Sequence, residues 1–306
     1  MSGRSGGVRP GVAEIDGPAV PRMLALAHDR VVQHERWLDQ LNVFPIADAD
    51  SGRNMAATLA AVSGAATAVS EAHPTRIPDL PDVVGAAEPA AIRAARGNSG
   101  VILAEWLRGF LSTLPGPLAT AFAAAADAAR ASVDQPVEGT MITVAADVAA
   151  AAAATDGLGV LDVMTVAQRA AEASLARTPS LLAVLARHGV VDAGGAGLLC
   201  VLDGFVLALG GEAPEARGAF SALPVESAGA AGDRVEVMLT VEGPAPEIDR
   251  IERAWRELGD SIAVAGYEDL WRLHVHTDRP EQAIAIAERF VSVVDRVTEP
   301  LVEDSP

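Results

Sequence analysis

Two aspartates two residues apart, Asp48 and Asp50, sit in the stretch Leu41 to Met55, LNVFPIADADSGRNM, between two segments of helical period. On a helix such a pair would point apart, because helical neighbours lie three or four positions away. In a tight loop, with small Ala49 between them and Gly52 after them, both carboxylates can converge on one point. Converging hard oxygen ligands suit Mg²⁺, which takes one or two carboxylates together with substrate phosphates. The helix expected to begin near Ser51-Gly52-Arg53-Asn54-Met55 would add free backbone N–H groups and a positive dipole end for those phosphates. The same residues also read as a capping and turn device. An EF-hand is excluded: counted from Asp48, the sixth position is Arg53 rather than glycine and the twelfth is Leu59 rather than glutamate.

Further polar turns precede helical stretches. Arg96-Gly97-Asn98-Ser99-Gly100 opens one, Glu138-Gly139-Thr140-Met141 a second, and Val190 to Gly197 (VVDAGGAG, with Asp192, Gly194 and Gly195) a third. Each alone is an ordinary capped connection; together they offer several helix N-termini that could face the acidic loop. Near the other end, Trp271 to His276 (WRLHVH) alternates as a strand, which puts His274 and His276 on one face within reach of a common metal. A pair of solvent-facing histidines on a half-buried strand is the competing reading.

These residues need elements to hold them. Helical spacing marks Val20 to Gln40, Ser51 to about Ala72, Val83 to Arg96, Val101 to Leu111, Pro117 to Ser132, Thr140 to Thr155, Leu161 to Arg177, Ser180 to His188 and Leu198 to Leu209. Residues 1–18 read as a disordered head, 73–82 as a proline-rich surface loop and 211–233 as a Gly/Ala/Pro/Ser/Glu-rich linker. Beyond residue 234 the period changes to strands and helices: Val235 to Val241, Pro246 to Leu258, Ser261 to Ala265, Trp271 to His276, Pro280 to Val291 and Val293 to Thr298. The expectation is an all-α domain over 19–210 and a small α+β domain over 234–306.

Composition limits the chemistry. The 306 residues are 50% hydrophobic but only 4% aromatic, so alanine, valine and leucine must build the core. Net charge is −18, which argues against nucleic acid or an anionic membrane as partner. All 23 basic residues are arginine; without lysine there is no Schiff base and no GxxxxGK[ST] phosphate loop. Phosphate would have to be handled by metal, backbone amides or arginine. The single cysteine, Cys200, lies in an apolar run and suits packing in a reducing cytosol. No apolar run suggests a membrane span and residues 1–12 lack a signal-peptide core, so a cytoplasmic protein is expected.

The motifs LNVFPIADADSGRNM, RGNSGVIL, GTMITV, GVVDAGGAGLL and LGDSIAVAGYEDLWRLHVHTDRP, in that order, resemble the catalytic subunits of bacterial fatty-acid kinases. Their N-terminal domain is of the dihydroxyacetone-kinase L-subunit (DhaL) type. The resemblance covers about residues 20 to 300. It implies a closed barrel of antiparallel helices binding Mg²⁺-ATP at one end, followed by a small α/β middle domain. It also implies phosphorylation of a fatty-acid carboxylate presented by a fatty-acid-binding carrier protein, and leaves room for a homodimer. In that family the paired aspartates hold magnesium, a role falling here to Asp48 and Asp50, with Asn42 near a third ligand position. Ser51 to Met55 and Asn98-Ser99-Gly100 would bind phosphates, Thr140 and Met141 would border the adenine, and Asp192 to Gly195 would close the phosphate side. A zinc associated with the middle domain would fall to His274, His276 and the residue replacing a cysteine, Glu236. Ala49 replaces a glycine, Ser51 a threonine, and Arg53 another threonine beside the phosphates. A further C-terminal domain of the family is missing from these 306 residues. The competing outcomes are a nucleotide-binding regulatory protein without turnover, or a kinase of a small hydroxylated, dihydroxyacetone-like substrate.

Overall fold

The computed structural model describes residues 14–72, 75–217 and 231–302, with the backbone alone at 231–233 and 302. Much of the expected head and linker therefore lies outside the described residues. Among the described residues the N-terminal part is nine helices: α1 (Ala19–Leu41), α2 (Ser51–Ala72), α3 (Leu80–Ala94), α4 (Gly97–Leu111), α5 (Leu118–Ala131), α6 (Met141–Ala153), α7 (Val160–Leu181), α8 (Ala183–His188) and α9 (Ala193–Ala208). Neighbour packing runs α1–α2–α4–α5–α6–α7–α9 and back to α1, which closes a ring, with α3 and α8 outside it. Four aromatics pack together in the buried core of the helical part: Trp106 stacks on Phe110 with centroids 5.5 Å apart, and Phe122 and Phe205 lean against them.

Small residues let the helices touch. A Cβ on Gly204 would lie 2.3 Å from the backbone nitrogen of Ala27, so α9 and α1 meet backbone to backbone. Gly204→Ala should therefore cost about 1–3 kcal/mol by overpacking, read as a lower urea midpoint at unchanged slope. Helix α2 is, among the described residues, the one helix long and apolar enough to cross a membrane; it packs against α1, α3, α4 and α9 and forms a wall of the barrel.

Several expected boundaries move. The Asn98-Ser99-Gly100 turn and the Ala193–Gly197 glycine run are the first turns of α4 and α9 rather than loops before them. Ile15, within the expected head, is buried. So is Arg217, within the expected linker: its backbone N–H donates to His34 Nε2 (2.9 Å), and its guanidinium grips Asp203 through Nε and Nη2 (2.9 and 2.8 Å). Arg30 on α1 completes this knot, donating to Asp203 (3.2 Å) and to the carbonyls of Pro214 and Glu215.

The C-terminal part is β1 (Ala231–Glu242), α10 (Ala245–Trp255), β2 (Gly259–Tyr267), β3 (Leu270–Thr277), α11 (Pro280–Glu288) and β4 (Ser292–Val302). The strands pair antiparallel in the order β2-β3-β1-β4, the split βαβ arrangement of ferredoxin-like folds. Strand alternation sorts the two faces. Val237, Leu239, Val241, Leu273 and Val275 join Ile248, Ile251 and Trp255 of α10 in a second core. Glu236, Met238, Thr240, Arg272, His274 and His276 occupy the opposite face, which meets the helical domain.

That meeting is stitched by polar contacts. Buried Arg272 donates from Nε to the Ala95 carbonyl (3.0 Å) and from Nη1 to Thr240 Oγ1 (2.6 Å). Glu105 on α4 accepts the Gly266 N–H at 2.6 Å. The segment after α5 adds a short antiparallel bridge to β2, with Val264 N–H donating to Ser132 O (2.8 Å) and Asp134 N–H to Ile262 O (3.2 Å). The free edge of β2 is thereby covered.

Candidate functional site

The acidic loop leaves the end of α1 and enters α2. Asn42, buried, donates from its side-chain nitrogen to Asp48 Oδ1 at 2.5 Å and reaches Asp50 Oδ1 at 3.5 Å, so Asp48 and Asp50 do converge. Burial first, and then the Asp50 carboxylate beside it, pushes the Asp48 carboxyl up to about 7. The two half-buried carboxylates, with only the Asn42 amide between them, are residues that could hold a cation.

Ala49 between them stands at φ 53, in the left-handed region that costs an L-residue about 1–2 kcal/mol. Arg53, one turn into α2, caps the Ala49 carbonyl from Nη2 at 2.8 Å and lies 3.4 Å from Asp39. Ala49→Gly should consequently leave stability unchanged or raise it by up to about 1 kcal/mol, whereas Ala60→Gly on the exposed face of α2 should cost about that much; paired chemical denaturation curves compare the two.

The N-terminus of α2 is not free. Asp39 Oδ1 on α1 accepts the N–H groups of both Gly52 (2.8 Å) and Arg53 (3.3 Å). This corrects the expectation that these amides face a phosphate. Of the stretch Ser51 to Met55, only Ser51 borders the cavity at this end of the barrel; Gly52 abuts α1, Arg53 turns to the surface, Asn54 sits against Gly97, and Met55 is buried beside Gly197.

That cavity, about 290 Å³, lies between the acidic loop, the starts of α4, α6 and α9, and the small domain. Asn98 and Ser99 enter it from the first turn of α4, where Gly97 takes φ 55 and its N–H points to Met238 Sδ (3.4 Å). Thr140 caps α6, accepting the Ile142 N–H at 3.4 Å, and lines the cavity with Met141. Asp192 caps α9 through the Gly195 N–H (2.7 Å); Asp192 and Gly194 face the cavity, whereas Gly195 and Gly100 stand behind the wall. Burial pushes the Asp192 carboxyl up to about 6. The lining carries six carboxylates, Asp48, Asp50, Asp134, Asp192, Glu236 and Asp260, against one guanidinium, Arg256. A triphosphate can be accommodated there only in company with divalent cations.

The small domain's wall supplies what the sequence reading lacked: Gly259 to Ile262 at a bulge in β2, with Ser261 at φ 53, and Arg256 paired to Asp134 at 2.5 Å. Glu236 and His276 also reach the cavity, while His274 is wholly buried behind them. Glu236 lies across β1–β3 from His276, and one ligand atom from each of Glu236, His274 and His276 falls within 4.8 Å of the others. His274 Nε2 is 3.0 Å from Glu236 Oε1 without hydrogen-bond geometry, and both His274 nitrogens and His276 Nδ1 are buried and unpartnered. Burial pushes His276 down to about 4 and His274 well below its ordinary value, so both are neutral and able to ligate. Burial, followed by Asp50 and Asp48, pushes Glu236 up to about 8. Orphaned imidazole nitrogens facing a carboxylate fit a metal ion of the zinc class.

Residues 45–207 match the DAK2 domain, and residues 234–304 match the FakA-like middle domain of fatty acid kinases. Protein YloV of Bacillus subtilis is 34% identical over 92% of this chain and 55% of its own length. An uncharacterised protein of Staphylococcus epidermidis is 31% identical over 92% of this chain and 54% of its own. The chain thus spans about half the length of the curated relatives it matches. Among solved structures, dihydroxyacetone kinase from C. freundii in complex with AMP-PNP and Mg²⁺ aligns at 18% identity and a TM-score of 0.46, covering 68% of this chain and 36% of that one.

Proposed function

Because the chain belongs to the DAK2-domain family and carries a FakA-like middle domain of the fatty acid kinases, we propose that it is an ATP-dependent kinase that phosphorylates a fatty-acid carboxylate. The observation that carries this reading is the convergence of Asp48 and Asp50 on a cavity ringed by helix starts and otherwise short of positive charge. Asp48 and Asp50, with Asn42 beside them, would hold Mg²⁺ against the ATP phosphates. Bound Mg²⁺ supplies the charge neutralisation that the lining cannot. Ser51, Asn98, Ser99 and the Gly194 backbone would contact phosphate oxygens. Thr140 and Met141 would border the base, and Asp192 would hold the α9 turn in place.

Phosphoryl transfer requires positioning and electrostatic stabilisation more than a protein nucleophile. The acceptor carboxylate is already ionised at neutral pH, so no general base is needed. One of its oxygens bonds to the γ-phosphorus as the bond to the β,γ-bridging oxygen breaks, giving an acyl phosphate and ADP with no proton transferred. The acceptor would arrive on a separate fatty-acid-binding carrier. The trio Glu236, His274 and His276 would hold a zinc-class ion beside the same cavity.

ATP consumption measured with and without a fatty-acid-loaded carrier tests the proposal: turnover that requires the carrier and the lipid supports it. A nucleotide-binding protein without turnover is the second reading, favoured by the Asp39 cap that occupies the α2 amides. Tight Mg²⁺-ATP binding with no hydrolysis under any acceptor would decide for it, and turnover with dihydroxyacetone would redirect the acceptor.

A further inference from the structure

The first turn of α4 is held from outside the helical domain. Gly97 turns the chain between α3 and α4 at φ 55, and Asn98 and Ser99, which follow it, line the cavity. On one side this corner rests on α2, where a Cβ at Gly97 would lie 2.5 Å from Asn54 Nδ2. On the other it is gripped by the sheet of the small domain. Arg272 donates from Nε to the carbonyl of Ala95, the C-cap of α3 (3.0 Å), and from Nη1 to Thr240 Oγ1 (2.6 Å). Met238 Sδ accepts the Gly97 N–H (3.4 Å) and is itself reached by Arg272 Nη2 at 3.8 Å. A guanidinium suits a helix C-terminus, where the last carbonyls are unsatisfied and the dipole is negative. Burying one without a close carboxylate is costly. Arg272 is nonetheless 2% exposed, and its ion pair with exposed Asp295 is long, at 3.8 Å. Its short bonds go instead to the corner and to the strand that braces it.

We propose that Arg272 is a positioning residue for the nucleotide: from the small domain it fixes the α3–α4 corner that aims Asn98 and Ser99 at the phosphates. The identity of the ligand rests on the kinase reading above; the grip on the corner rests on the hydrogen bonds. Arg272 stands behind the cavity wall and acts through Asn98 and Ser99 rather than by touching the nucleotide. The small domain thereby becomes a working part of the nucleotide site and not only a lid beside it.

Calorimetric titration of the full chain with Mg²⁺-AMP-PNP tests this. Arg272→Met should weaken binding roughly tenfold or more, the loss expected when one hydrogen bond to a charged group is misaligned. Arg272→Lys, which keeps a charged donor for the Ala95 carbonyl, should recover most of the affinity. In an Asn98→Ala/Ser99→Ala background Arg272→Met should cost little more, because residues acting through one another are not additive; a residue that merely glued the domains together would show no such dependence. Where circular dichroism shows Arg272→Met unfolded, Thr240→Val decides: it removes the acceptor of Nη1 and should weaken binding roughly threefold, and wild-type affinity in that variant would overturn the inference. Wild-type affinity in a folded Arg272→Met protein, a full further loss in the double background, or no recovery with lysine would overturn it as well. Failure of the wild-type chain to bind Mg²⁺-AMP-PNP would contradict the nucleotide reading itself and take this inference with it.

Discussion

Asp48→Asn should reduce Mg²⁺-dependent turnover on the order of 10²–10³-fold or more while making the metal-free protein more stable. The two effects share one cause. Asp48 is held against Asp50 in a poorly solvated loop, and its carboxyl is pushed up to about 7 from the ordinary value of 3.8. A carboxyl raised in the fold contributes stability that is complete below its unfolded value and is lost as pH rises through its folded one. In chelator, wild-type stability should therefore fall between about pH 4 and pH 7, and the neutral amide should flatten that slope. One unit of displacement corresponds to about 1.4 kcal/mol; discounted for partial solvent screening, the gain at neutral pH is about 1–3 kcal/mol. Urea unfolding in EDTA across that pH range measures it. An ordinary structural aspartate would lose stability on the same substitution, so the opposite signs in stability and turnover mark a residue kept for its ion.

Asp203→Ala should have the largest effect on stability. Its carboxylate is completely buried on α9 and accepts from Arg30, from two nitrogens of Arg217, and from Gln168 Nε2 at 2.6 Å. Truncation leaves two guanidinium groups without their shared carboxylate in the barrel wall. Loss of one partner from a buried ion pair costs about 3–5 kcal/mol, and at about 2–4 °C per kcal/mol for a chain of this size the melting temperature should drop by roughly 10 °C. Because Arg217 and the carbonyls of Pro214 and Glu215 are held by the same knot, proteolysis after α9 should accelerate in parallel.

Legibility from sequence followed chain distance. The Asp48–Asp50 loop and the turns at Asn98, Thr140 and Asp192 could be read because each packs its chemistry into a few consecutive residues whose glycine and capping patterns are local. The two strand histidines could be read because alternation alone puts them on one face. Asp39 capping Gly52 and Arg53 could not, since it acts across the corner between two helices, 13 and 14 residues upstream of the amides it satisfies. The wall formed by Gly259 to Ile262 required knowing that β2 docks beside α4 and that the segment after α5 extends the sheet. Arg217 was hidden by the linker-like composition around it, although a signal existed: Asp203 is a lone carboxylate inside the apolar stretch GLLCVLDGFVLALG and needed a buried partner from somewhere.

The central claim is that Asp48 and Asp50 hold a divalent ion against a nucleotide triphosphate. Mn²⁺ in place of Mg²⁺ tests it most directly, with electron paramagnetic resonance counting the free ion. Adding the protein together with AMP-PNP should deplete free Mn²⁺ beyond what the nucleotide alone removes and broaden the nucleotide's phosphorus resonances; the Asp48→Asn/Asp50→Asn double variant should do neither. Equal depletion by wild type and double variant, or none by either, would contradict the account.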